Sequence, residues 1–156
     1  MSYDIYLLLP KPGEDPRDLA LRDLASDEPI SEEVRARAKR VVAALREFNP
    51  ALDVFESDTA VELTDVQGGS GIQVGLYADS GSLSLPYWHE EASTAVLATV
   101  SHYLRVVVET GGFVAFDPQS ERPITAESSF SLAPGLYAHG VSILKSVAKK
   151  PWWKFW

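Results

Sequence analysis

From Ile72 to Tyr87 the apolar residues fall at every second position, twice, on either side of a short polar turn. Ile72, Val74, Leu76 and Ala78 alternate with Gln73, Gly75 and Tyr77, and Leu83, Leu85 and Tyr87 alternate with Ser82, Ser84 and Pro86. A period of two places alternate side chains on opposite faces of a strand, so each run buries one face. Asp79-Ser80-Gly81 supplies the turn chemistry, and the pair reads as a β-hairpin. Pro86 has no amide donor, which places its end of the hairpin at a sheet edge or a bulge. A sheet with one apolar face needs a second layer to cover it.

Two helical stripes supply that layer. Val34, Ala38, Val41, Leu45 and Phe48 fall at i, i+4, i+7, i+11 and i+14, one apolar stripe about four to five turns long. Ser31 is placed to cap its start, Glu32 and Glu33 favour the positive end, and Asn49-Pro50 ends it. The second helix spans residues 90–110, with Val96, Val100, Tyr103, Leu104 and Val107 as its stripe, Glu90 and Glu91 at its start and Gly111-Gly112 as its cap.

The remaining segments complete the order. Tyr3 to Leu9 reads as a central strand apolar on both faces, ended by Pro10 and Pro12-Gly13. Asp15-Pro16 opens a short helix over residues 16–25. Strands are expected at residues 51–56, 61–64 and 113–116, and Gly68-Gly69-Ser70-Gly71 reads as a flexible turn. Residues 120–131 are polar, and Pro134 starts a third helix with Tyr137, Val141 and Leu144. The resulting order predicts an α+β fold. Its antiparallel-rich mixed sheet, a ferredoxin-like sandwich with extra strands, carries two main helices on one face and a C-terminal helix. The final strand closes beside the first. Residues 1–148 form one domain, and residues 149–156 form a basic, tryptophan-rich tail.

Composition limits the function classes. There is no cysteine, so disulfides and thiolate metal sites are excluded. The start of the chain lacks a basic leader region, and no run approaches the roughly 20 apolar residues of a membrane span. A cytoplasmic protein is expected. Net charge is −8, from 22 acidic and 14 basic residues. That balance repels phosphate backbones, which argues against nucleic acid as a partner, and favours fast encounter with basic proteins. Four of the basic residues are lysines within the last 12 residues, where no acid occurs.

No pattern of catalytic residues emerges, and a non-enzyme is expected. His89, His102 and His139 lack metal-ligand spacing, and the 13 residues between the first two span roughly 20 Å on a helix. No metal or cofactor is expected. The glycine run matches neither a phosphate loop nor a nucleophile elbow. A hydrolase built on the corner of His89, Glu90 and Glu91 is the catalytic alternative, although paired acids usually decorate a helix start.

Binding candidates concentrate the aromatic residues. Tyr87, Trp88 and His89 sit where a strand hands over to a helix, most simply as a corner packed into the core. Asp117 and Gln119 flank Pro118 in a turn that the Asp117 side chain is suited to cap. Trp152, Trp153 and Trp156, interleaved with lysine, leave three readings open. They dock on the domain, anchor it weakly at a membrane surface, or form a protein-binding hot spot in a partner-docking adaptor.

The opening Met1-Ser2-Tyr3-Asp4-Ile5-Tyr6, the central Pro86-Tyr87-Trp88-His89 and the late Gly112-Phe113-Val114-Ala115-Phe116-Asp117-Pro118-Gln119 carry a resemblance. Over about residues 1–120 the chain resembles a group of small cytosolic bacterial proteins without assigned activity. Some of these look like immunity proteins of contact-dependent or secreted toxin systems. The resemblance implies a non-catalytic inhibitor whose partner is a cognate toxin, and it transfers no catalytic residue.

Overall fold

The computed structural model describes residues 2–14, 18, 28–87, 93–128, 130 and 142. Seven strands form one sheet: β1 (Ser2–Leu8), β2 (Asp53–Glu56), β3 (Val61–Thr64), β4 (Gln73–Leu76), β5 (Ser80–Pro86), β6 (Val114–Asp117) and β7 (Arg122–Ile124). Helix α1 (Glu32–Phe48) lies between β1 and β2, and α2 (Ser93–Gly111) lies between β5 and β6. The sheet order is β2-β3-β4-β5-β1-β6-β7. Within it, β1-α1-β4-β5-α2-β6 has the ferredoxin-like arrangement, with the β2-β3 hairpin inserted and β7 added at the far edge. The last core strand, β6, closes beside β1 as expected.

Every pairing is antiparallel, not mixed. Each helical crossover returns the chain parallel to the strand it left, but an intervening strand always separates the two. β5 and β6, for example, flank β1.

Both helices cover one face. Tyr3, Ile5 and Leu7 of β1, Val74 of β4 and Leu83 and Leu85 of β5 join Ala38, Val41 and Leu45 of α1 and Val100, Tyr103, Leu104 and Val107 of α2 in one core. Ser31 caps α1 by accepting from the Val34 amide at 3.3 Å. At the other end the Asn49 amide donates to the Leu45 carbonyl at 2.9 Å. The Asn49 side chain meanwhile donates to the Tyr103 hydroxyl at 3.0 Å and accepts from the Ala51 amide at 3.2 Å. The helix stop thus also ties α1 to α2. Gly112 closes α2, its amide donating to the Val108 carbonyl.

Several local expectations change. β1 is not buried on both faces along its length. Its outward Ser2, Asp4 and Tyr6 are half-buried, and only Leu8 is buried there, against Phe116. The hairpin turn lies at Ala78-Asp79, because β5 already begins at Ser80 and the Tyr77 amide donates to the Ser80 carbonyl at 2.9 Å. Pro86 ends an interior strand rather than an edge. It is tolerated because β4 starts at Gln73, opposite Ser84, so only Ser2 of β1 faces Pro86. The polar stretch after Ser120 contains β7 and a 3-10 turn at Ala126–Ser128. β7 is three residues long with Pro123 at its centre, too short to show a period.

The glycine-rich turn between β3 and β4 is pinned rather than flexible. The buried Asp65 carboxylate accepts from the Gly68 amide at 2.9 Å and from the Ser70 hydroxyl, while the Gly71 amide donates to the Asp65 carbonyl at 3.0 Å. A Cβ on Gly68 would run into that carboxylate, so the tight wrap requires glycine. The expected helix over residues 16–25 and the third helix from Pro134 lie outside the described residues.

Phe48, the last position of the α1 stripe, is 50% exposed. As the final helical residue it packs sideways, stacked on His102 at 4.0 Å between ring centroids and edge-on to Tyr103 at 6.0 Å. Leu45→Ala should therefore cost about 2–5 kcal/mol, and Phe48→Ala only about 1–2 kcal/mol. Urea midpoints compare them; an equal loss would place Phe48 in the core after all.

Candidate functional site

Of the residues singled out by sequence, Tyr87, Asp117 and Gln119 are described; Trp88, His89, Glu90, Glu91, Trp152, Trp153 and Trp156 lie outside the described residues. Tyr87 is half-buried and meets the fully buried Tyr3 edge-on, with ring centroids 6.3 Å apart. Tyr3 in turn donates its hydroxyl to Asp117 at 2.6 Å. Asp117 is 2% exposed and also accepts from the Ser120 hydroxyl at 2.8 Å and the Gln119 amide at 2.9 Å. Gln119 takes part through its backbone, and its side chain is exposed. Tyr3 links Tyr87 to Asp117, so this group fastens the β6-β7 turn to the core. Burial raises the Tyr3 hydroxyl pKa well above its ordinary value, with the hydrogen bond to Asp117, that carboxylate's charge and Tyr87 adding to the rise.

These carboxylate and hydroxyl groups already serve one another, so the cluster is built for stability. Among the described residues no group of three or more histidine and acidic side chains is placed to hold a metal ion. Nor is any helix among them long and apolar enough to cross a membrane.

A different surface has unspent polar groups: the sheet face turned away from the helices. Antiparallel pairing sets its outward residues in rows about 5 Å apart from strand to strand. One row runs Phe55, Glu62, Gly75, Ser82, Tyr6 and Phe116; the next runs Asp53, Thr64, Gln73, Ser84 and Asp4. The small residues Gly75, Ser82 and Ser84 make the middle low, and Tyr77 reaches back across Gly75. A Cβ on Gly75 would meet the Tyr77 hydroxyl at 2.6 Å. The result is a shallow cavity of about 220 Å³ lined by Glu62, Thr64, Gln73, Tyr77, Ser82 and Ser84 beside backbone.

The five strands β1 to β5 contain no lysine or arginine. Every charged residue in the two rows, Asp4, Asp53 and Glu62, is a carboxylate. At the β2 edge Phe55 is 64% exposed beside Glu62. The alternation in the sequence places Gln73, Gly75, Ser82 and Ser84 opposite the apolar side of a hairpin. The signal for a groove was there in the small residues at consecutive outward positions, but which strand lies beside which decides whether they form one hollow. No protein-family model, curated protein or solved structure matches this chain.

Proposed function

We propose that this domain is a non-catalytic binding protein of the immunity type, which neutralises a bacterial toxin in the cytoplasm by holding a basic surface of it against the outer face of the sheet. The supporting observation is that face itself. It spans five strands without a basic residue, presents Asp4, Asp53 and Glu62, and carries an exposed aromatic, Phe55, at its rim. An acidic face of this kind speeds encounter with a basic protein and discourages acidic ones. Phe55 adds the sort of aromatic contact that dominates binding energy at protein interfaces. The net charge of −8 extends the same bias over the whole molecule.

Co-expression with the product of the neighbouring open reading frame tests the reading. A complex that co-elutes on size exclusion and relief of that product's toxicity are expected. Absence of both would overturn it. Replacing Asp53 and Glu62 by lysine should slow association and flatten its salt dependence, because rim charges act mainly on the association rate.

A further inference from the structure

We infer that the hollow between Glu62 and Tyr77 is a pocket for one arginine side chain presented by a protein partner. The inference rests on the binding function proposed above and names the chemistry of its anchor. Glu62 and Ser82 stand on the strands either side of Gly75, so roughly 10 Å separates those strands across a position that has no side chain. Tyr77 crosses above that gap, its ring end close enough to occlude any Cβ on Gly75. The Tyr77 ring end thus fills the place of the missing side chain, and the hollow lies beside it, bounded by Tyr77, strand backbone and a rim of hydroxyl and amide oxygens. Glu62 is its one charged residue among the described residues.

Three features select a guanidinium. First, Glu62, Thr64, Gln73, Tyr77, Ser82 and Ser84 make no side-chain hydrogen bond or ion pair among the described residues, so their acceptors are free for a ligand. The contrast with Asp65 and Asp117, whose oxygens are all engaged, shows that this chain satisfies its structural carboxylates internally. Second, the exposed Glu62 carboxylate offers arginine paired hydrogen bonds to its oxygens, and Tyr77 lines the same hollow as an aromatic neighbour of the kind a guanidinium favours. Third, no lysine or arginine of β1 to β5 competes for Glu62. A ligand anion would be repelled by the Glu62 carboxylate, and an apolar side chain would strand the oxygens without partners.

The test is a titration of the ¹⁵N-labelled full chain with N-acetylarginine amide, read by amide chemical shifts. N-acetylcitrulline amide serves as the uncharged arm of the same shape. Saturable shifts at Gly75, Ser82 and Glu62 with the arginine compound, and none with citrulline, are expected. Glu62→Gln should weaken the arginine response by roughly tenfold. Gly75→Ala, which forces Tyr77 aside, should remove it. If Gly75→Ala disturbs folding, Glu62→Gln, at an exposed position, still decides. No saturable shift, equal shifts with both compounds, or an unchanged response in Glu62→Gln would overturn the pocket. A toxin complex that forms with no arginine response would overturn this inference and leave the binding function standing. An arginine response with no complex and no rescue supports the pocket and counts against the immunity reading.

Discussion

Replacing Asp117 by alanine should lower the unfolding free energy by about 3 kcal/mol, seen as a lower urea midpoint with an unchanged slope. The carboxylate accepts from the Tyr3 hydroxyl, the Ser120 hydroxyl and the Gln119 amide, and it is almost wholly buried. Hydrogen bonds to a charged group each contribute about 1.5–3 kcal/mol. Water can replace the carboxylate at the half-buried Ser120, but Tyr3 is fully buried and its hydroxyl would be left unsatisfied. Tyr3→Phe removes the same bond from its other end, so the double variant should lose less than the sum of the two single losses. A coupling of about 1–2 kcal/mol in that cycle is expected. A loss under about 1 kcal/mol for Asp117→Ala would show that the β6-β7 turn holds without its cap.

Stability should also fall steeply above about pH 10, the ordinary tyrosine value. Burial, the hydrogen bond to Asp117, that carboxylate's charge and Tyr87 hold the Tyr3 proton in the folded state. Burial also raises the Tyr103 pKa, against the lowering effect of the Asn49 hydrogen bond and with a further rise from the Asp65 charge. Below the unfolded value both states keep the proton, and the stabilisation is complete. Above it the unfolded chain releases protons that the native chain retains, so each tyrosine removes about 1.4 kcal/mol of stability per pH unit until its folded pKa is reached. Urea midpoints between about pH 9 and about pH 11 measure the slope. Tyr3→Phe should make it shallower by about one proton. An identical slope in that variant would mean that Tyr3 already ionises in the folded protein.

Helices were the most legible part of the fold. The α1 stripe, its Ser31 cap and its Asn49 stop are all local chemistry, as is the α2 stripe with its glycine cap. Phe48 shows the limit. Its spacing matches the buried stripe, but burial at the last turn depends on what stands opposite, and there it is the His102 ring at the surface. The hairpin is legible too, yet local pattern puts its turn at Asp79-Ser80-Gly81 rather than Ala78-Asp79, because Ser80 and Gly81 carry turn-like residue types in a strand paired on both sides. Asp117 was recognised as a turn cap, whereas its bond to Tyr3, 114 positions earlier, has no trace in local pattern.

By itself the sequence determined the kind and order of the two described helices and of the first six strands, the apolar face of each helix, and the absence of thiol chemistry, since these depend on residue types at short, regular spacings. The tertiary structure alone decided which strands are neighbours. Antiparallel registry brings Glu62, Gly75 and Ser82 into one row from three strands, and only there do a carboxylate, a missing side chain and a hydroxyl become one hollow. Such a row joins residues about 20 positions apart by hydrogen bonds between backbones, which carry no residue-specific signature for a sequence to display.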